Sequence, residues 1–243
     1  MHGGDQTMSG TLYGIGVGPG DPELMTLKAV RILGQAQHVF AAASRRNSHS
    51  FALDVAKNFL PPDVPVTLLG FAMTRDPIQC QSAWRDICGQ IAGPLRENKQ
   101  VVFLTLGDPM TFSTFVHVIT ELKKIHPETV VRTVPGISCF QAAAASINLP
   151  LVVGNELFTV IPCNNGIKHI DEAIGYSDNV VFMKFHKKFP QLLENIEKFQ
   201  LQDHCIFVSR CSMDGEFMES DFERIKQLTP EYMSLMIVKK PGA

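Results

Sequence analysis

The chain has no CxxC pair, no HxxxH pair and no stretch approaching the roughly 18 uninterrupted apolar residues that cross a membrane. Its six cysteines, at positions 80, 88, 139, 163, 205 and 211, are too scattered for a zinc site. They read as reduced, mostly buried thiols of a cytoplasmic protein, and no metal is expected. Charge is also sparse: 19% of residues are charged and the net charge is −2, without a basic block. That balance gives no footprint for nucleic acid. Residues 1–9 are polar and lack an apolar h-region, so no signal peptide is expected, and residues 1–10 are expected to be disordered or loosely held. Low-complexity segments and internal repeats are absent. What remains is ample core material: 243 residues, 45% of them hydrophobic, suit one large domain or two modest ones.

The most informative segment is 12–30. An apolar run from Leu12 to Val17 empties into a loop with glycines at 14, 16, 18 and 20, then passes through Asp21 and Pro22 into a helix-like stretch. A strand, glycine loop and helix in that order brings bare backbone close to a small ligand at the carboxyl end of a parallel strand. The spacing excludes a dinucleotide fingerprint. GxGxxG counted from Gly14 meets Pro19, and counted from Gly16 it meets Asp21. The ribose-binding acid expected about 20 residues later is missing, since no Asp or Glu lies between Glu23 and Asp54. No Lys-Ser or Lys-Thr closes a phosphate loop either.

Strand-like runs at Leu12–Val17, His38–Ala42, Val64–Leu68 and Val101–Leu106 alternate with helix-like stretches at Leu24–Leu33, Phe51–Phe59, Ile78–Arg96 and Ser113–Lys124. Continuous apolar strands between short loops predict a parallel sheet covered on both faces. Thr129–Val134 and a helix from Ser138 follow. Further strands are expected at Leu157–Ile161, Val180–Met183, Cys205–Ser209 and Met233–Val238, with shorter helices at Lys168–Ile174 and Gln191–Phe199. The expectation is an α/β protein of two α/β domains, 11–127 and 128–243, the second with a more mixed sheet.

Two more glycine loops sit at strand ends, Leu106-Gly107-Asp108-Pro109-Met110 and Val134-Pro135-Gly136-Ile137-Ser138. Taken singly, Asp-Pro and Ser138 with Gln141 are ordinary helix starts. Three such loops, each at a strand end, could line one crevice.

GxGxGPGDPELxTLKA from Gly14, the later Gly-Asp-Pro, Val-Pro-Gly-Ile-Ser and the strand Val180-Val181-Phe182-Met183 resemble the tetrapyrrole methylases, over essentially residues 11–240. Within that family, Tyr13–Gly18, GDPMTFSTF (107–115) and Val208–Ser212 are most like the enzymes that methylate C20 of precorrin-2. The uroporphyrinogen methylases tend to carry glycine and arginine near position 113, where this chain has Ser113, Thr114 and Phe115. The resemblance implies a class III methyltransferase fold with S-adenosylmethionine folded in a cleft between two domains and S-adenosylhomocysteine as product. Carried over, Leu106, Gly107 and Asp108 would lie against the amino-acid and ribose portion, with Thr111 at the start of the following helix. Ser138 and Cys139 would meet the far side of the cofactor, and Met183 would touch it through backbone and a soft side chain. Cys211 and Ser212 would approach the adenine, and Pro19 would stand nearer the mouth. By itself, Met183 reads as an ordinary core residue.

A reduced tetrapyrrole carries many carboxylates, so its trough should present cations. Candidates near strand ends are Arg45, Arg46, Lys184 and Arg210, with Lys187 and Lys188 close by; each also reads as a solvated loop charge. Methyl transfer to an enamine-like carbon needs positioning and exclusion of water more than a protein nucleophile. His117, His186 and Glu156 could take the departing proton, but no catalytic acid or base is assigned. The family implies a homodimer, with neither membrane nor nucleic acid as partner. Three alternatives stay open: another acceptor on the same fold, a nicotinamide oxidoreductase and a non-catalytic binding protein. The metal state of the macrocycle is also open.

Overall fold

The structure, a computed structural model, describes residues 10–43, 49–71, 77–163 and 170–241. The chain forms two compact units, Met1–Ser138 and Cys139–Ala243.

In the first unit, β1 (Thr11–Gly16), β2 (His38–Ala43), β3 (Val66–Gly70), β4 (Gln100–Thr105) and β5 (Val130–Val134) form an all-parallel sheet in the order β3-β2-β4-β1-β5. Side chains on successive strand positions point to opposite faces. Leu12, Phe40, Val101 and Phe103 therefore join a core under α3 (Pro77–Arg96) and α4 (Phe115–Ile125). Ile15, Val39, Ala41, Val102 and Leu104 join a second core under α1 (Leu27–Leu33) and α2 (Phe51–Ala56). Burial on both faces explains why the central strands β2, β4 and β1 read as continuous apolar runs, while the edge strands β3 and β5 are largely exposed. The helix after β1 covers one face and the helix after β4 covers the other, yet β1 and β4 are neighbours. Their carboxyl ends are thus the topological switch point, where open α/β sheets take ligands.

The segment Asp-Pro-Glu-Leu does not start α1. The Asp21 carboxylate accepts from Glu23 N at 2.8 Å and caps a single 3-10 turn, Pro22–Leu24. The backbone then extends again, and the Thr26 hydroxyl accepts from Ala29 N to cap α1 at Leu27. Two caps in series shorten the helix expected from Leu24.

The second unit comprises α5 (Cys139–Ser146), β6 (Phe158–Pro162), α6 (Ile170–Tyr176), β7 (Asn179–Met183), α7 (Phe189–Lys198), β8 (Cys205–Ser209), β9 (Phe217–Glu219), α8 (Phe222–Ile225) and β10 (Ser234–Lys239). Its sheet runs β6-β7-β10-β8-β9; only β6 and β7 are parallel. Phe182, Phe185, Phe189, Phe207 and Met236 centre its core with Leu192 and Ile196 of α7. Each such side chain contributes about 1.5–3 kcal/mol on burial.

The units divide at Ser138–Cys139, later than the expected 127/128, because β5 pairs with β1 in register Tyr13↔Arg132 and closes the first sheet. Strand β9 and helix α8 have no counterpart in the sequence reading; both are short and lie in a polar stretch.

Candidate functional site

In the first unit the three glycine loops meet. Gly18 N donates to Gly107 O at 3.3 Å and Gly107 N donates to Gly18 O at 2.7 Å, joining the loops after β1 and β4. Asp108 joins the second loop to the third: its Oδ2 accepts from Gly136 N at 3.1 Å. Its Oδ1 accepts from Met110 N at 2.8 Å and from the Thr111 hydroxyl at 3.3 Å. The carboxylate is a brace between loops rather than a helix cap. Close approach makes glycine obligatory here, since a Cβ on Gly16 would stand 2.6 Å from both Gly107 O and Gly136 N. Gly107 has φ +72°, and a Cβ there would find only Ile137 O, at 4.0 Å. Room for an added methyl therefore lies beside half-buried backbone at the switch point, where open α/β sheets take ligands.

Thr111 lies in the turn before α4, not at its start; α4 begins at Phe115, whose N–H donates to Ser113 Oγ at 3.0 Å. Ser113, where the sequence departs from the uroporphyrinogen pattern, is thus a local cap. Its hydroxyl also donates to Thr105 Oγ1 at 3.5 Å, at the end of β4. Pro19 is buried in the first loop, and Ser138 is buried immediately before α5. Sequence reasoning passed over Met110 and Phe112, which are 57% and 41% exposed in this loop. Large apolar side chains in an otherwise polar loop were the available signal.

In the second unit the remaining candidates gather at one sheet edge. Met183 ends β7 opposite Leu235, and Ser209 ends β8 opposite Ser234, so Lys184, Arg210, Cys211 and Ser212 all follow strands at the same edge. Three of them adopt left-handed backbone: Lys184 at φ 57°, Arg210 at 53° and Ser212 at 58°. Such strain in non-glycine residues concentrates at functional sites. Burial holds the Lys184 ammonium below the ordinary lysine value, and the nearby Cys139 thiol partly counters it. Burial, helped by Cys211, pushes the Cys139 thiol up to about 11. Burial likewise raises Cys211, whose Sγ lies 3.7 Å from Ser212 Oγ. Both thiols stay protonated at neutral pH, so neither is an activated nucleophile. Arg210 is partly engaged already: its Nε donates to Asp214 O at 2.9 Å, and Glu231 stands 3.7 Å from the guanidinium. Arg45 and Arg46 lie outside the described residues.

The side chains weighed as bases differ in their setting. His117 of α4 packs against Trp84 of α3 with ring centroids 5.3 Å apart and the rings tilted by 40°. Burial alone would raise Glu156, but hydrogen bonds from Asn179 and Val153 N and the Lys239 ammonium at 3.1 Å outweigh it. A carboxylate held below its ordinary value is poorly suited to accept a proton near pH 7. His186 sits edge-on to Tyr232 at 5.8 Å, with a buried Nδ1 that has no hydrogen-bond partner. Among the described residues, no group of three or more His, Cys, Asp or Glu could hold a metal ion. No helix among them is long and apolar enough to cross a membrane.

The model of the Tetrapyrrole (Corrin/Porphyrin) Methylases matches residues 11–225. The chain is a tetrapyrrole methylase. It is 30% identical to the cobalt-precorrin-2 C(20)-methyltransferase of Salmonella typhimurium over 234 residues, which are 96% of this chain and 98% of that protein. It is 28% identical to the precorrin-2 C(20)-methyltransferase of a Sinorhizobium species, over 96% of each. Its fold is that of the uroporphyrin-III C-methyltransferase of Thermus thermophilus solved with S-adenosylhomocysteine: TM-score 0.68, 20% identity, 95% of this chain and 97% of that one. Tetrapyrrole methylases use S-adenosylmethionine as methyl donor, and this one is a methyltransferase of that kind.

Proposed function

We propose that this tetrapyrrole methylase transfers a methyl group from S-adenosylmethionine to C20 of precorrin-2 or cobalt-precorrin-2, a step of corrin synthesis. The observation that carries the acceptor is likeness along nearly the whole length of both chains to an enzyme named for that carbon. Another position on the same macrocycle is the alternative reading.

The room beside Gly107, at the switch point, is where this reading places a folded donor. When bound, the donor supplies an electrophilic methyl on sulfur. In this reading Pro19, Leu106, Gly107, Asp108, Thr111 and Ser138 hold it from the first unit, with the Asp108 brace keeping the loop backbones fixed. Cys139, Met183, Cys211 and Ser212 are further candidates to touch the donor, carried over from the family resemblance. Met110 and Phe112 offer apolar surface to the macrocycle and keep water from it. Lys184 and Arg210 meet acceptor carboxylates, and Arg45 and Arg46 are further candidates. A carboxylate beside Lys184 would offset the cost of its burial. The C20 carbon is nucleophilic itself, so protonated Cys139 and Cys211 fit a site with no protein nucleophile. Orienting groups of this kind can be worth about 7–11 kcal/mol of barrier. The protein is proposed to be cytoplasmic, the reading its scattered cysteines support, and to act as a homodimer, as the family resemblance implies.

The test is an anaerobic reaction with isotopically labelled donor and precorrin-2, with and without cobalt, the methylated carbon being mapped by NMR. Label at C20 is expected, and the preferred metal state selects between the two acceptors. Label at another carbon would replace this acceptor assignment.

A further inference from the structure

A groove of about 170 Å³ opens between α1 and the sheet of the first unit, and three cations line it: Lys28, Arg31 and Arg132. The sequence disperses them, but the fold brings them together for two separate reasons. Lys28 and Arg31, three residues apart, share one side of α1, and Gln35 follows in the turn just beyond it. Arg132 is the register partner of Tyr13 across the β1–β5 ladder, so both side chains stand on the same face of the sheet. Tyr13 packs into the core beneath α1, which fixes that face as the one α1 covers. Gln100, the first residue of β4, completes a mostly polar lining.

No Asp or Glu lines the groove, and none of the three cations makes an ion pair among the described residues. This is a local reversal in a chain whose 24 acidic residues outnumber its 22 Lys and Arg. Like charges brought together without a counterion repel one another. A cation in the last turn of a helix is favoured by the helix dipole, which accounts for Arg31. It does not account for Arg132 on a strand or Lys28 in the first turn. Two guanidinium forks with an ammonium suit an anion carrying several oxygens. A tetrapyrrole is too large for the volume.

We propose that this groove binds a small polyanion with phosphate-type or carboxylate oxygens, held by Lys28, Arg31 and Arg132. It comes from α1 and the sheet rather than from the glycine loops, and does not depend on the methyl-transfer reading.

The test is thermal unfolding of the full chain with pyrophosphate, with citrate, and with sodium chloride at matched ionic strength. Parent protein is compared with Arg132→Gln, the double variant Lys28→Gln/Arg31→Gln, and Lys123→Gln on the exposed side of α4, a control with the same charge change as Arg132→Gln. An anion held at about five times its Kd raises Tm by about 2–4 °C for a chain of this size. Parent and Lys123→Gln are expected to show that rise, and the two groove variants to lose it. Each groove variant's anion-free Tm verifies that it folds, and either folded variant suffices. A rise with pyrophosphate alone identifies a phosphate ligand, with citrate alone a polycarboxylate, and with both the shared anion chemistry. No rise beyond sodium chloride in the parent, or a rise retained by the groove variants, overturns the proposal.

Discussion

The two units build their strand ends by largely different means, although Phe112 of the first also takes a left-handed φ of 50° and Gly215 of the second one of 80°. In the first, loops turn on glycine: Gly18 and Gly107 take φ of 79° and 72°, and bare backbone at Gly16 and Gly136 lets three loops touch. In the second, the equivalent dihedral range is occupied by Lys184, Arg210 and Ser212, residues that pay for it in strain. Left-handed backbone costs a non-glycine residue about 1–2 kcal/mol. One edge is therefore made of main chain and suits close approach to a ligand. The other retains side chains in spite of strain, as a surface selected for its functional groups would.

The largest expected effect comes from filling the glycine junction. Gly136→Ala places a methyl against Gly107 O with no side chain able to yield. Backbone displacement of this kind costs about 1–3 kcal/mol or more, and calorimetric S-adenosylhomocysteine binding should be lost together with stability. Asp108→Ala is next. It leaves the part-buried Gly136 N without its acceptor, at about 1–3 kcal/mol, while the exposed Met110 N can turn to water; the urea midpoint and the donor affinity should fall together.

Substitutions at left-handed positions should then separate the two edges by sign. Gly107→Ala is expected to destabilise by about 1–2 kcal/mol. Ser212→Gly should be neutral or stabilising by up to about 1 kcal/mol, since relief of strain exceeds the added chain entropy of about 0.4–1 kcal/mol. Equal signs in denaturant titrations would erase the distinction between the edges.

The smallest effect is one of pH within the second unit. Glu156 has a folded-state value below its ordinary 4.5, so its contribution is complete above that value and is lost as pH falls through the lower one. The Tm gap between parent and Glu156→Gln should therefore be constant near neutrality and narrow only in acid.

How much of this was legible in the sequence depended on how local each feature is. Strand ends carrying glycine beside an oxygen-bearing side chain identified the loops after β1, β4 and β5, because the need for close approach is written in residue type. The span of β5 was legible as well, but its sheet was not: joining β1 through Tyr13↔Arg132 is a long-range pairing with no local mark. For the same reason Asp108 read as a cap for the next helix, when its carboxylate spans two loops to reach Gly136. Strand β9, with Phe217 between Glu216 and Met218, is too short for its alternation to register. At the second edge, Met183, Cys211 and Ser212 were picked out by resemblance alone. Their left-handed neighbours are invisible until backbone angles are known.

The most direct test of the central claim, that the glycine-built edge of the first unit holds the methyl donor, is calorimetric titration of S-adenosylhomocysteine into parent protein and folded Asp108→Ala. Saturable binding by the parent and at least tenfold weaker binding by the variant is the predicted result. Equal affinity in the two would contradict it and remove the donor from this edge.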